Sequence, residues 1–185
     1  PPLPQWRRDV AEKVAPGNVI KAYLVYETPF WRERGLSGQS SSDEGAVRVT
    51  FDTTPADSTR GLLMGFFEGN EAERTGPLLR ELADGAVVVV ATDAGHAFGE
   101  EAAEPSEYVE RDWSAEQYTR GCHGAHFAPG IWTSSGPVLA ASEGCLYWAG
   151  AEYSTKFNGY MEGAVRSGLD VARSVVLRLN EPASS

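Results

Sequence analysis

The sequence predicts an α+β fold in which helices flank a mixed or antiparallel sheet and the chain ends in a strand, a turn and a helix. Residues 19–27 are apolar on both alternating faces, a pattern typical of a central strand. Two further strand-like runs, 46–52 and 61–68, are separated by a turn that contains Pro55, so we expect them to pair as a hairpin. From Gly159 onward, apolar residues recur at helical spacing.

Two segments between the sheet and the C-terminal region are candidate helices. Residues 71–83 have a helical composition. Residues 85–99, GAVVVVATDAGHAFG, are ambiguous, and by themselves their four successive valines favour a buried strand.

The C-terminal strand is predicted at Leu146–Ala149, a short apolar run that Gly150 ends. The helix follows from Gly159, with Glu162 in its first turn, where the helix dipole favours negative charge. Its apolar positions form one stripe: Met161, Val165, Gly168, Leu169, Ala172, Val175, Val176 and Leu179.

The start of this helix has the features of a ligand site. We expect the main-chain N–H groups of Gly159, Tyr160 and Met161 to point outward, and Gly150 and Gly159 to let a ligand approach the main chain. A helix start with free N–H groups and neighbouring glycines suits an anionic or acceptor-rich cofactor. The alternative is an ordinary strand, loop and helix with packing glycines.

Composition limits the classes of function. With 185 residues and 42% hydrophobic content, the chain has enough apolar material for one sizeable core. Its net charge of -10 disfavours nucleic acid and anionic membranes as partners. The chain has two cysteines and shows no signal peptide, so we expect a cytoplasmic protein. His96, His123 and His126 lack metal-ligand spacing, so no metal is expected. No nucleophile or phosphate-loop motif occurs.

Five runs, in this order, resemble the flavin-containing amine oxidases, the monoamine oxidase family: PPLPQWRRDV, VIKAYLVYETPFWRERGLSG, LLMGFFEG, YVERDWSAEQYTRGCHGAHFAPG and WAGAEYSTKFNGYMEGAVRSG. The resemblance implies a helix over the ambiguous valine segment. It also implies a substrate-binding portion over residues 1–118 and an FAD-contacting segment over residues 119–185. The family's Gly-rich dinucleotide fingerprint is missing. We therefore expect the chain to be the C-terminal part of a longer enzyme, completed by an N-terminal FAD-binding part or chain.

Three side chains in the first 122 residues acquire roles from this resemblance. Lys21 lies on an apolar face of its strand, where a charge needs a partner or water, unless the side chain reaches solvent at the strand end. The family position implies that Lys21 holds a water beside the flavin and assists its reoxidation by oxygen. Trp113 is implied as an aromatic wall of the flavin site, although a core tryptophan is the default interpretation.

Cys122 matches the position at which some family members attach FAD through a thioether. Other members bind FAD without that bond, a lone cysteine is more often simply buried, and a disulfide between Cys122 and Cys145 is a further alternative.

The substrate site of the family is an aromatic cage in front of the flavin. Tyr160 matches one wall. The other wall is His123, whose imidazole can carry a positive charge and would then accept a protonated amine less readily than a phenol face would. His123 as a surface residue is the alternative. The implied cofactor-binding residues are Trp113, Cys122, Gly150, Ala151, Glu152, Gly159, Tyr160 and Met161.

The implied reaction is oxidative deamination of a primary amine to an aldehyde, ammonia and hydrogen peroxide, with FAD as cofactor and oxygen as electron acceptor. We expect Lys21 and the main chain around Tyr160 to face one flavin. A polyamine or L-amino-acid oxidase is an alternative within the family, and oligomerisation is left open. A non-catalytic subunit that docks on a separate FAD-binding chain is an alternative of another class.

Overall fold

The computed structural model describes residues 2–81 and 85–180. Two compact units make up the chain. The sheet unit is residues 17–122, and the terminal unit combines residues 1–16 with residues 123–185. The division of function predicted at residue 118 stays a prediction, and the compact units divide at other positions because the first sixteen residues pack with the C-terminal part.

The strands are β1 (Val14–Pro16), β2 (Val19–Tyr26), β3 (Ser40–Ser41), β4 (Val49–Asp52), β5 (Gly61–Glu68), β6 (Glu107–Asp112) and β7 (Ala125–Phe127). The α-helices are α1 (Gln5–Lys13), α2 (Phe30–Glu33), α3 (Asn70–Glu81), α4 (Gly85–Phe98), α5 (Ile131–Ser135) and α6 (Met161–Asn180). Short 3₁₀ turns lie at Glu100–Ala103, Gly136–Val138 and Ala151–Tyr153.

The sheet unit is built on an antiparallel sheet of order β3-β4-β5-β2-β6. β2 lies inside the sheet and β4 pairs with β5, so the predicted central strand and hairpin are confirmed. β4 begins at Val49 rather than Ala46. The N–H groups of Ala46 and Val47 donate instead to the Asp93 carboxylate on α4, each at 2.9 Å. Ala46 and Val47 thus bond to a helix, although they were predicted to pair with a strand.

One face of this sheet carries the core. Ile20, Ala22, Leu24 and Tyr26 of β2 are at most 4% exposed and cluster with Leu63 and Phe67 of β5, Trp31 of α2, and Ala86, Val90, Ala94 and Phe98 of α4. Their burial follows from strand alternation, because every second side chain points to the same face. The opposite face of β2 carries Lys21 and Tyr23, which are half-buried.

The two segments that follow β5, predicted at 71–83 and 85–99, are both helical. α4 confirms the helix implied by the resemblance. It buries Ala86, Val90, Ala94 and Phe98 at four-residue spacing, whereas Val88 is 64% exposed and Val89 is 39% exposed. α3 runs to Glu81, so the last two residues of its predicted range, 82 and 83, lie outside the described residues.

The terminal unit joins the start of the chain to its C-terminal part. β1 pairs antiparallel with β7. The strand predicted at Leu146–Ala149 is wrong: Leu146 forms only an isolated bridge with Glu143, because these two residues satisfy each other's main-chain groups in a tight turn (2.9 and 3.0 Å). Among residues 85–180, nothing extends this bridge into a ladder.

The predicted C-terminal helix is confirmed as α6, but its apolar stripe is not the side that contacts its own unit. Gly163 and Ser167 are buried, whereas Met161, Val165 and Leu169 are 88%, 59% and 52% exposed. The small side chains of Gly163 and Ser167 let the preceding loop approach the helix closely. The larger apolar residues of the helix face outward. None of the helices in the described part of the chain is long and apolar enough to span a membrane.

Candidate functional site

The face of the sheet opposite to the main core cluster presents Lys21 among apolar side chains. β2 pairs Lys21 with Phe66 and Tyr23 with Met64 on β5, so these four side chains share a face. The Lys21 ammonium nitrogen lies 5.5 Å from the centroid of the Phe66 ring, and Phe51 packs edge-on against that ring at 5.9 Å. A cation is thus held against an aromatic face on a half-buried apolar surface.

The charged neighbour of Lys21 across the sheet has the same sign. Arg111 of β6 is its register partner and forms an ion pair with Glu116 at 2.6 Å. Lys21 itself is half-buried. Its place on an apolar sheet face is confirmed, while its predicted role stays a prediction.

Trp113 and Cys122 are both tied by main-chain bonds to the entry of β2. Trp113 N–H donates to the carbonyl of Val19 at 3.2 Å, and Cys122 N–H donates to the carbonyl of Gly17 at 2.9 Å. The Trp113 indole Nε1 is buried and has no hydrogen-bond partner within the described ranges. Cys122 is half-buried, and both it and Cys145 are free thiols, so the alternative of a disulfide is not formed.

In the terminal unit, the turn at Gly150–Glu152 is fixed against the loop before α6. Gly159 N–H donates to the carbonyl of Ala151 at 3.1 Å, and the Asn158 side-chain amide donates to the carbonyl of Glu152 at 2.9 Å. The structure therefore brings four predicted cofactor-binding residues together: Gly150, Ala151, Glu152 and Gly159.

The expectation that the N–H groups of Gly159 and Tyr160 point outward is wrong. Gly159 N–H is bonded to Ala151, and Tyr160 N–H donates to the carbonyl of Phe157 at 3.1 Å. Phe157 has a φ of 54°, which folds the loop back onto the helix start. Met161 opens α6, so the outward donors belong to the first turn of the helix proper, where N–H groups have no partner inside the helix.

His123 lies beside this turn. A cavity of about 210 Å³ is lined by His123, Glu152, Asn158 and Gly159, with the Phe127 and Trp132 rings among its other walls. Glu152 Oε1 accepts the N–H of Ala125 at 3.2 Å, which fixes the carboxylate at the cavity. His123 is exposed and has a φ of 63°, a backbone conformation that is strained for a non-glycine residue.

The residues of this region fit a flavin. A Cβ placed on Gly159 would meet no atom within 4 Å, so the surface is open to a close-packed ring. Tyr160 is 70% exposed and Met161 is 88% exposed at the N-terminus of a 20-residue helix. An aromatic ring beside an electropositive helix end suits a planar, acceptor-rich group.

Two residues that position this region were not predicted from the sequence. Ser167 is 5% exposed, and its hydroxyl accepts the N–H of Gly150 at 2.9 Å and reaches the carbonyl of Gly150 at 2.8 Å. A Cβ on Gly163 would lie 2.2 Å from the carbonyl oxygen of Phe157. A glycine inside a helix is a signal for such close packing, whereas nothing local marks Ser167.

The predicted site residues divide between the units. Lys21, Trp113 and Cys122 belong to the sheet unit, and the remaining residues, from His123 to Met161, belong to the terminal unit. The expectation that Lys21 and Tyr160 face one flavin stays a prediction.

Comparison with known proteins identifies the family. Residues 1–176 match the sequence profile of the flavin containing amine oxidoreductases. The chain belongs to this family. The match takes in every element from α1 to most of α6, and with it all the site residues considered above.

Relatives within this amine oxidoreductase family differ in their named substrates. The chain is 34% identical over 183 residues to amine oxidase [flavin-containing] B of Canis lupus familiaris, covering 95% of the chain and 34% of that protein. It is 32% identical over 185 residues to an L-amino acid dehydrogenase of Synechocystis, covering 95% of the chain and 37% of that protein.

Among solved structures of amine oxidoreductases, putrescine oxidase bound to putrescine aligns with a TM-score of 0.86 and 30% identity. The alignment covers 96% of this chain and 39% of that one. The chain thus spans between about a third and two fifths of the length of the relatives that it matches.

Proposed function

We propose that the chain is the C-terminal part of an FAD-dependent amine oxidase. The reaction takes a primary amine, oxygen and water to an aldehyde, ammonia and hydrogen peroxide, which balances as a two-electron oxidation of the amine. The observation that carries the proposal is Lys21, held against Phe66 on the apolar sheet face opposite to the main core cluster. Membership of the flavin amine oxidoreductase family supports it.

The sheet unit supplies the apolar wall of the substrate site in this proposal. Tyr23, Phe51, Met64 and Phe66 share the face of Lys21 and would bind the carbon skeleton of the amine while excluding water. The Lys21 ammonium would hold a water molecule through a charge-assisted hydrogen bond on this otherwise dry surface. Such a water would lie beside FAD, if bound there, and would assist its reoxidation by oxygen.

The terminal unit supplies the cofactor contacts and the aromatic cage. The first turn of α6 and the Gly150–Glu152 turn would hold FAD, Tyr160 would flank the amine nitrogen, and His123 would take the place of the second aromatic wall. FAD, when bound, accepts the two electrons of the amine C–H bond and passes them to oxygen. The side chains orient the amine so that this bond faces the cofactor. Cys122 is available for a thioether to FAD.

Two alternatives rest on specific observations. A putrescine oxidase and an L-amino acid dehydrogenase are among the relatives, which favours a polyamine or an amino acid as the substrate. The chain spans only 34–39% of its relatives, which is the observation behind the second alternative, a non-catalytic subunit that docks on a separate FAD-binding chain.

Reconstitution separates these proposals. The chain is mixed with the N-terminal FAD-binding part of a relative such as putrescine oxidase, and peroxide release is measured with benzylamine, putrescine and L-amino acids. We expect peroxide with one class of amine and none from either part alone. A mixture that binds flavin but releases no peroxide with any amine would support the non-catalytic subunit. Acid precipitation of the assembly tests the thioether, since a flavin bonded to Cys122 stays in the pellet.

Lys21→Met, in the assembled enzyme, tests the assigned role of the lysine. We expect the rate of flavin reoxidation by oxygen to fall about tenfold or more, because a charge-assisted hydrogen bond is lost. Anaerobic reduction of the flavin by the amine should change much less. Lys13→Met, which removes an exposed lysine of α1, is the control. Equal oxygen reactivity of the two variants would remove Lys21 from this role.

A further inference from the structure

Arg7 of α1 is a buried arginine that its surroundings hold in a single orientation. It is 4% exposed, and its guanidinium carbon lies 4.4 Å from the ring centroid of Trp6 and 4.5 Å from that of Trp148. Nη1 donates to the carbonyl of Leu139 at 2.7 Å, and Nη2 donates to the carbonyl of Ala141 at 2.8 Å. The planar group therefore cannot turn or withdraw without breaking these contacts.

Stability alone does not explain a charge at this place. The ion pair of Arg7 with Glu143 is long, at 3.9 Å between Nη2 and Oε1. A buried charge with a distant counter-ion is a poor source of stability, because removing it from water costs more free energy than such a pair returns. The contacts of Arg7 indicate another role.

The segment that Arg7 holds leads directly into the turn of the predicted flavin contacts. Residues 141–149, all of them described, form no helix or strand. Such a segment depends on side chains to pair its main-chain groups and to fix its path. Arg7 fixes it at two carbonyls and at the Trp148 ring, and Trp148 lies two residues before Gly150.

The turn is thereby held from two sides. Ser167 of α6 bonds both main-chain polar groups of Gly150, and Arg7 holds the chain just before that glycine. The charge of Arg7 also acts on the end of the turn: burial raises the pKa of Tyr153, Arg7 lowers it and Glu152 raises it. Glu152 and Tyr153 belong to the same 3₁₀ turn, so the Arg7 cation lies near the predicted flavin contacts.

We propose that Arg7 is a positioning residue for the flavin: its guanidinium fixes the path of the chain into the Gly150–Glu152 turn, and the turn binds FAD tightly only when it is fixed in this way. The inference rests on the proposed function, which assigns this turn to FAD. The effect belongs to the planar fork of donors and its stacking, since lysine has the charge but neither the fork nor a flat face to lie between two rings.

The first test uses the chain without flavin. The Gly159 N–H donates to the carbonyl of Ala151 at 3.1 Å, so hydrogen exchange of this amide, measured by NMR, reports whether the turn is held. We expect Arg7→Lys to speed its exchange about tenfold or more relative to the Ala164 amide of α6. Val10→Ala, at a buried residue of α1 that is 8% exposed, is the control. It should destabilise the unit through a cavity and leave the ratio of the two exchange rates unchanged.

The second test measures flavin affinity in the enzyme assembled with the N-terminal FAD-binding part of a relative. A Cys122→Ala background ensures that no thioether retains the cofactor. Titration with FAD, followed by flavin fluorescence, should give a dissociation constant about tenfold higher for Arg7→Lys and for Arg7→Met than for the parent. Val10→Ala should stay within about twofold of the parent, because it leaves the guanidinium contacts in place.

Trp6→Leu is the second variant. It removes one of the two rings stacked on the guanidinium and keeps the bonds of Arg7 to the carbonyls. We expect the FAD dissociation constant to rise about threefold, in keeping with the loss of one cation–π contact. Thermal unfolding of each variant checks that it is folded, and Trp6→Leu decides if Arg7→Lys does not fold.

The outcomes separate this inference from the proposed function. A parent assembly that binds no FAD would overturn the proposed function, and this inference with it. A parent that binds FAD, with unchanged affinity in whichever of Arg7→Lys and Trp6→Leu is folded, would overturn the inference alone. Weak binding in Arg7→Met that Arg7→Lys restores would assign the effect to charge and would also overturn it. So would the same ratio of exchange rates in Arg7→Lys and Val10→Ala.

Discussion

Ser167 shows how much one hydroxyl can fix at the scale of a single residue. It lies within 2.9 Å of both main-chain polar groups of Gly150 and of the carbonyl of Ala164. The turn of the predicted flavin contacts is thereby fastened to the second turn of α6. His123 is the contrasting residue: it is exposed and has a strained backbone, and its role in the amine cage rests on the family position alone.

Replacing Ser167 with alanine should loosen this turn. We expect Ser167→Ala to lower the free energy of unfolding by about 1–2 kcal/mol, because the N–H and C=O of Gly150 lose their shared partner. Denaturant unfolding of the chain measures it. Ser174→Ala is the matched control, since Ser174 lies on the same helix and its exposed hydroxyl donates only to Asp170. Equal loss in both variants would contradict the assigned role of Ser167.

The lowered pKa of Asp52 makes the stability of the fold depend on pH. Burial raises its pKa, but hydrogen bonds from Arg32, Trp31 and Thr54 lower it further, so the net pKa lies below the ordinary value. A carboxyl with a depressed folded pKa stabilises the fold above its unfolded pKa, about 3.9. This contribution is lost as the pH falls toward the folded pKa.

We therefore expect the free energy of unfolding to decrease below about pH 5 and Asp52→Asn to flatten that decrease. At pH 7, Asp52→Asn should cost about 1–3 kcal/mol, because charged hydrogen bonds are lost. Asp43→Asn, at an exposed carboxyl, should leave the profile unchanged. Denaturant unfolding across the acid range measures both variants, and a wild-type slope retained in Asp52→Asn would exclude this assignment.

At the scale of elements, the loop before α6 and the first turns of that helix form one packed unit. The left-handed backbone of Phe157 turns its carbonyl toward Gly163, and Arg166 lies 5.4 Å from the Phe157 ring centroid. The main chain of the helix and that of the loop approach too closely for any side chain between them. α4 illustrates the reverse case, in which a run of valines that favours a strand is helical because its small residues fit the sheet.

Two glycines of α6 provide an internal comparison. Gly163→Ala should destabilise the chain by about 1–3 kcal/mol, because its Cβ would clash with the Phe157 carbonyl. Gly168→Ala should stabilise it by about 0.5–1 kcal/mol, because nothing lies near the new methyl group and alanine favours helix. Thermal and denaturant unfolding measure both, and the same sign in the two variants would contradict the packing described here.

At the scale of the whole molecule, α6 leaves an apolar stripe without a covering element among the described residues. Met161, Val165, Leu169 and Val176 are between 52% and 88% exposed. The chain spans only about two fifths of its relatives or less. Under the proposed function, we expect the N-terminal FAD-binding part to cover this stripe.

The double substitution Val165→Ser with Leu169→Ser tests this partner. The stability of the chain should change by no more than about 0.5 kcal/mol, because both residues are exposed. Affinity for the N-terminal part should fall about tenfold or more, because burial of each side chain is lost. Ser174→Ala, at an exposed position about 180° from Val165 around the same helix, is the control. Unchanged affinity in the double variant would exclude the stripe from the interface.

Much of the fold follows from the order of residues alone. A run that is apolar on both faces identifies β2 as a central strand, a strand-like run after the Pro55 turn identifies β5, and helical spacing identifies α6. The resemblance of sequence runs identifies the family and implies the helix at α4. These inferences depend on local periodicity or on runs of neighbouring residues, both of which can be read directly along the chain.

Other features were decided only by contacts between residues distant in sequence. Asp93 takes the N–H groups of Ala46 and Val47, so β4 starts only at Val49, and Ser167 anchors Gly150 from seventeen positions away. The strand predicted at Leu146 is replaced by a local turn with Glu143. The sequence by itself determined the main strands of the sheet, the C-terminal helix and the family, because backbone geometry imposes a period of 2 or 3.6 residues on buried side chains. The tertiary structure alone decided which hydrogen bonds are taken and which faces remain open, because those depend on packing that no local pattern contains.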